Sequence, residues 1–449
     1  MFFTLFLKEC KTVAKSIIYL VFICAMLLFY VTQFGEIVER HINEYYTHEE
    51  YYTGSLKQNP FIKPHEGEES YGYKYIEIPE KIMLSTVSKL VTNWEFNYYT
   101  IYNSIGFGRN IQLDEKKQAE IAQIIFDITG IDAERLNNRI DEVRTEYVDD
   151  NGIPHWISNW EHIDYTDVIP LTVTYEEYKE KMKQVDKILG GAYSETHFQI
   201  HDNVPLTYEE KLAEYNAFIN KDKITGAYAR LFNDYMGIIA ALLSVFVPVA
   251  FLIRDKRARV NEVIFSREIC SIKFIFARYT ALILMMIIPF LLLSLLPSIN
   301  LIKFAFENNL SVDIFAFAKY IVVWILPTLM TTTAVAFIIT TITDNPIAIA
   351  IQFIWSFISL TVGGIAAYNS GTGDLIHYGM NLMLRHNSLG NLHYYQDNVT
   401  QIVVNRLFYT ALSIILIILT VFIYEQKRRG TLDVRGSLRK IFRNRKSAD

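Results

Sequence analysis

The chain has 449 residues, of which 51% are hydrophobic and 20% charged, and its formal net charge is −5. That length would suit two or three soluble domains, but the apolar residues stand in long blocks separated by polar sequence, which excludes an ordinary soluble protein. No nucleic-acid partner is expected for such a chain.

The N-terminal segment, residues 1–15, is predicted to form an amphipathic helix along the inner membrane surface. A simple extension of the first membrane span is the alternative. That span covers residues 16–34, and its apolar run is longer than the core of a cleaved signal peptide and has no small-residue cleavage site. We therefore expect an uncleaved span in contact with lipid.

Five further stretches contain the roughly 20 apolar residues that a helix needs to cross about 30 Å of hydrocarbon. They lie at 235–253, 279–297, 318–342, 347–367 and 407–424. The sequence thus predicts an α-helical polytopic membrane protein with six transmembrane helices. Span 1 is assigned to 16–34, span 2 to 232–253, spans 3 to 5 to 276–368, and span 6 to 404–424.

Lysine and arginine near the span ends predict the orientation, because these residues are retained on the cytoplasmic side. Basic residues are concentrated in 1–15, in the loop 254–275 and in the tail 425–449, which contains nine of them. Both termini are therefore predicted to be cytoplasmic, and 35–231 is predicted to be extracellular. The absence of cysteine from that large outer domain favours the plasma membrane of a Gram-positive bacterium.

The predicted outer domain, 35–231, is expected to be mainly α-helical, either all-α or α+β. Its first part, 35–79, shows no clear periodicity, but later segments have helix-end signals. They are an N-cap at Asp114 and capping boxes that begin at Thr174 and Thr207. The domain contains 35 acidic and 20 basic residues, a charge that would attract a cationic peptide. A merely solvated acidic surface is the alternative.

The sequence contains no phosphate-binding loop of the form G-x-x-x-x-G-K-[ST], and its residues predict neither a catalytic site nor a metal site. Four charged residues near the spans are expected at span ends in reach of water, which disfavours an ion-coupled carrier. They are Asp234, Arg278, Lys319 and Arg406. Polar side chains within the spans are candidates to line a pathway, with contact between helices as the alternative. They are Thr328, Thr331, Thr332 and Gln352.

The loop 254–275 reads RDKRARVNEVIFSREICSIKFI, a charged strip followed by apolar residues. It predicts a short amphipathic helix that either docks a cytoplasmic partner or anchors in the membrane surface. Its basic stretch, which leads to Glu262 and then to Ser266 and Ile269, resembles the permease subunit of ABC-2 type exporters. Residues 1–15 are similar to the interfacial helix of that family, and 369–403 stands where the family has a re-entrant hairpin. Arg259 and Glu268 depart from its common glycine and proline.

The resemblance implies an obligate assembly. Two permease protomers, identical or homologous, would form the pathway, and separate ATPase subunits would bind ATP and Mg²⁺. This chain would need no cofactor and would not itself be an enzyme. The residues expected to couple to the ATPase are Arg254, Asp255, Arg257, Glu262 and Ser266. The expected substrate is a cationic antimicrobial peptide or a hydrophobic compound. A membrane sensor, whose extracellular domain binds a ligand and signals through a cytoplasmic partner, is the competing interpretation.

Overall fold

The computed structural model describes residues 2–47, 59–68, 70–102, 108–145, 165–193, 201–258, 264–266, 269–370, 381–383, 389 and 392–431. The chain divides into two compact units. The first comprises Met1–Tyr71, Thr207–Gly363 and Thr372–Asp449, and the second comprises Gly72–Leu206 with Gly364–Gly371. The predicted outer domain, 35–231, is thus longer than the second unit, because its two ends pack with the apolar helices of the first.

Five helices in the described residues are long and apolar enough to cross a membrane. They are Ile17–Thr47, Thr225–Arg257, Ser271–Glu307, Ala316–Thr343 and Val399–Arg428. The protein is therefore mainly helical and has the architecture of a multi-pass membrane protein, as predicted. The remaining expected span coincides with a helix at Ile347–Ser370, whose side chains are described as far as Leu360.

The first unit contains most of the helices. In chain order they are α1 (Phe2–Ala14), α2 (Ile17–Gln33), α3 (Ile37–Thr47), α8 (Tyr208–Asn216), α9 (Thr225–Leu242), α10 (Phe246–Arg257), α11 (Ser271–Glu307), α12 (Ala316–Tyr320), α13 (Leu326–Thr343), α14 (Ile347–Ser370), α15 (Leu392–Asp397) and α16 (Val399–Arg428). Two π-helical turns, Ala217–Lys221 and Ile321–Ile325, follow α8 and α12.

Two breaks shape the first unit. Ser16 is extended (φ −81°, ψ 129°), so α1 is a separate helix and not the start of the first span. Residues 243–245 interrupt the second span between α9 and α10. Pro248 lies in the first turn of α10, where a proline removes no hydrogen bond within the helix. Outward-facing side chains on the long helices are large and apolar, as contact with lipid requires; examples are Ile17, Leu28, Leu292, Ile354 and Leu407.

In its described residues, the second unit combines four helices with two small sheets. The helices are α4 (Pro79–Glu95), α5 (Glu115–Thr129), α6 (Ala133–Thr145) and α7 (Tyr175–Leu189). Strand β1 (Tyr73–Glu77) pairs antiparallel with β5 (His201–Pro205), and β2 (Tyr99–Tyr102) lies between β3 (Gly108–Ile111) and β4 (Ala192–Tyr193). The unit has its own apolar core, built around Val87, Leu90, Ile125 and Val185.

The helix starts predicted at Asp114, Thr174 and Thr207 are confirmed. The carboxylate of Asp114 accepts from the backbone N–H of Lys117, and α5 ends at Gly130 in the left-handed conformation (φ 70°). The capping box at Thr174 is complete, and so is the one at Thr207 that opens α8 of the first unit. These motifs are local, so the sequence carries all the information they need.

Candidate coupling site

The segment between the second and third spans forms one wall of the candidate coupling site. Helix α10 ends at Arg257, the residues 264–266 make a short helical turn, and α11 begins at Ser271 after an extended Cys270. We call the end of the first unit that carries these residues the basic end. It is the end that the distribution of lysine and arginine predicts to be cytoplasmic.

A buried arginine connects three helices at the basic end. Arg278 of α11 contacts Glu9 of α1, with 3.2 Å between Nε and Oε1, and Asp255 of α10, with 2.5 Å between Nη2 and Oδ2. Its guanidinium also lies over the ring of Phe274, 4.2 Å from the centroid. The side chains of all three charged residues are at most 10% exposed. Because a buried charge is stable only when it is paired, these contacts fix α1 and α10 against α11.

A second ion-pair cluster lies at the same end. Lys256 of α10 and Lys427 of α16 each approach Oδ2 of Asp344 at 3.1 Å. Asp344 ends α13 in the left-handed conformation (φ 57°), which short polar side chains tolerate better than others. One carboxylate therefore connects three helices and is shared by two ammonium groups.

The final helix holds the turn at 264–266. Arg428 of α16 donates to the carbonyl oxygens of Phe265 (3.0 Å) and Ile269 (2.8 Å). The rings of Phe265 and Phe274 both pack on Tyr424, with centroids 5.5 and 5.4 Å apart. The described part of the coupling segment is thus fastened to the spans by backbone and aromatic contacts.

The predicted coupling residues fall into three groups. Arg254, Arg257 and Ser266 are exposed at the basic end, where a partner could reach them. Asp255 is buried against Arg278, so it acts inside the unit and does not belong to an exposed docking surface. Glu262 lies outside the described residues.

The predicted pathway residues are buried among helices. Thr331 donates to the carbonyl of Tyr409 at 3.0 Å, which joins α13 to α16, and Thr332 Oγ1 lies 2.7 Å from Ser244 Oγ. Gln352 of α14 donates to the carbonyl of Ala241 in α9 at 3.0 Å. These bonds connect the helices to one another, and the lining role of these residues stays a prediction.

Thr328 belongs to a network around Arg406, at the start of the last span. The guanidinium of Arg406 donates to Thr328 Oγ1 (3.1 Å) and to the carbonyls of Trp324 (3.0 Å) and Leu382 (3.1 Å). Residues 381–383 are non-helical and buried, and Ser359 accepts from the N–H of Leu382. Irregular backbone among apolar helices requires such partners, because unpaired peptide groups are costly there. The re-entrant hairpin expected within 369–403 stays a prediction, since much of that segment lies outside the described residues.

The expectation that the charged residues near span ends reach water is wrong for three of the four. Asp234, Arg278 and Arg406 are buried, and the side chain of Lys319 alone is well exposed, at 62%. Arg278 and Arg406 are charged groups whose partners come from distant parts of the chain. Position relative to an apolar stretch is therefore a poor guide to the exposure of a charge.

Sequence reasoning also missed a buried ion pair at the other end of the first unit. Arg230 of α9 is 1% exposed, and its guanidinium forms a bidentate ion pair with the carboxylate of Asp222. Its guanidinium lies 4.4 Å from the centroid of the Tyr395 ring. The one signal in the sequence is an acid eight residues before an arginine at the edge of an apolar helix, which is too common to be specific.

The described residues contain no group of three or more His, Cys, Asp or Glu side chains that could hold a metal ion. No protein-family model, curated protein or solved structure matches this chain.

Proposed function

We propose that this chain is the permease subunit of an ATP-driven exporter of the ABC-2 type, located in a bacterial plasma membrane. Two protomers form the pathway, and a separate ATPase subunit that binds ATP and Mg²⁺ supplies the energy. The observation that carries the proposal is the ion-pair cluster of Glu9, Asp255 and Arg278. A partner can move the spans only if its docking segment is rigidly joined to them, and this cluster provides the joint.

Other features support the same assignment. Helix α1 is separate from the first span and packs on α11, as an interfacial helix would. Arg254, Arg257 and Ser266 offer an exposed, mainly basic surface beside the joint. The buried segment 381–383 precedes the last span, where the resembled family has its re-entrant hairpin.

The proposed substrate follows from charge. Residues 35–231 contain 35 acidic and 20 basic side chains, a surplus that concentrates cations near the outer face. A cationic antimicrobial peptide is therefore the first candidate, and a hydrophobic compound is the second.

The proposal is tested by co-expressing the chain with each nucleotide-binding protein encoded beside its gene. We expect one of them to co-purify with the chain in detergent and to hydrolyse ATP faster in the complex than alone. The variant Arg257→Glu should weaken that stimulation at least about tenfold, because reversing an interfacial charge costs several kcal/mol. Lys303→Glu is the matched control, since Lys303 is well exposed on α11 and distant in sequence from the coupling segment. Equal stimulation by both variants would contradict the assignment of the docking surface, and failure of every candidate ATPase to co-purify would contradict the function.

A membrane sensor is the second candidate, favoured by one observation. The second unit has its own apolar core, as an independent ligand-binding domain would. The same purification separates the two functions, because a sensor should retain a kinase or another signalling protein in place of an ATPase.

A further inference from the structure

The basic end contains a pocket beside the ion pair of Asp255 and Arg278, and both of these residues belong to its lining. Helices α10, α11, α13 and α16 form its walls, together with the turn at 264–266. The lining combines polar and apolar side chains. Lys256, Lys427, Thr340 and Thr341 are among the polar ones, and Ile253 and Phe265 are among the apolar ones. Such a pocket suits a ligand with a charged group joined to an apolar one.

Three cationic side chains line the pocket, those of Lys256, Arg278 and Lys427, against two carboxylates, those of Asp255 and Asp344. Lys256 and Lys427 share a single carboxylate, that of Asp344, at 3.1 Å each. Arg278 also lines the pocket, but two carboxylates, Glu9 and Asp255, already oppose it. An ammonium group has three N–H donors, and the two lysines contact one acceptor oxygen between them in the described part of the chain. N–H groups of Lys256 and Lys427 therefore remain available to donate to an anionic ligand.

A buried hydroxyl points to the same conclusion. Thr340 lines the pocket and is 5% exposed, and its Oγ1 has no hydrogen-bond partner among the described residues. A buried polar group without a partner is costly, so this hydroxyl, which belongs to the same lining as the two lysines, calls for a ligand that accepts hydrogen bonds.

We propose that this pocket binds a phosphate group, held by Lys256, Lys427 and the hydroxyl of Thr340. The apolar residues of the lining make the phosphodiester of an anionic phospholipid the expected form, because basic pockets between spans recognise lipid head groups in this way. Free inorganic phosphate is the other source of the same chemistry. Arg254, Arg257 and Ser266, the exposed residues of the proposed ATPase contact, do not line the pocket, so ligand binding can be measured without the ATPase.

The test uses the full-length chain purified in detergent and three probes: dihexanoyl-phosphatidylglycerol, dihexanoylglycerol without phosphate, and inorganic phosphate. Binding is measured by native mass spectrometry and by the shift in melting temperature. The double variant Lys256→Gln, Lys427→Gln should bind the phospholipid at least about tenfold more weakly, as expected for lost charge-assisted hydrogen bonds. Arg429→Gln is the matched control, because Arg429 is exposed, follows the last residue of α16 and is absent from the pocket. It should change the affinity less than about twofold.

A second variant distinguishes a specific loss of lipid binding from misfolding of the protein. Asp344→Asn keeps both lysines and suits the left-handed backbone, but it removes the competing carboxylate. It should bind the phospholipid several-fold more tightly. Inorganic phosphate that displaces the lipid would identify free phosphate as the source, and its failure to do so would identify the lipid. Equal affinity for dihexanoylglycerol, unchanged binding in the double variant, or weaker binding in Asp344→Asn would overturn the proposal.

Discussion

Replacing Arg278 with methionine tests whether its ion pairs hold the basic end together. The substitution keeps a long apolar side chain over Phe274 but leaves Glu9 and Asp255 as two buried carboxylates without their cation. Removing one partner of a buried ion pair typically costs about 3–5 kcal/mol. We expect Arg278→Met to lower the free energy of unfolding by that amount.

Unfolding is measured in mixed micelles, with increasing SDS, by the loss of far-ultraviolet circular dichroism. The triple variant Arg278→Met, Glu9→Gln, Asp255→Asn removes the charges together, so it should be more stable than the single variant by about 2 kcal/mol or more. Lys303→Met is the control. Its ion pair with Glu307 is 3.9 Å long and exposed, and should contribute less than about 1 kcal/mol. If Arg278→Met were no worse than this control, or the triple variant no better than the single one, the cluster would not be the joint that we describe.

The apolar helices and the helix caps were predictable because each depends on local sequence. A run of about 20 apolar residues requires a buried or lipid-facing helix wherever it lies in the chain. Likewise, Thr174 and Glu177 are only three residues apart and need no other partner. Helix α3 was not predicted, because its eleven residues, IVERHINEYYT, are polar on most sides and lie in a stretch without clear periodicity.

The buried charges were not predictable, because their partners are remote. Glu9 and Arg278 are 269 residues apart. Arg406 is held chiefly by backbone carbonyls, and because every residue has a carbonyl, the sequence does not indicate which of them bind the arginine. The same holds for the pairing of β1 with β5. Hydropathy places charged residues relative to apolar stretches, and the tertiary contacts decide whether they meet water or one another.

The second unit gives two further predictions. Thr174→Ala removes the side-chain cap of α7, which should cost about 1 kcal/mol and speed hydrogen exchange in 175–189 roughly fivefold; Thr207→Ala, which uncaps α8, is the matched control and should leave 175–189 unchanged. Asp127 accepts hydrogen bonds from Lys181 (2.6 Å) and Gln123, and these hold the pKa of its carboxyl below the usual range. A lowered pKa in the folded state stabilises the protein above the unfolded pKa of about 3.9, and the contribution is lost as the pH falls through the folded value. Hydrogen exchange in α5 and α7 should therefore lose more protection between pH 6 and pH 3 in the native chain than in Asp127→Asn, by up to about 1 kcal/mol. Equal losses in the two proteins would mean that the contact between Asp127 and Lys181 does not stabilise the packing of α5 on α7.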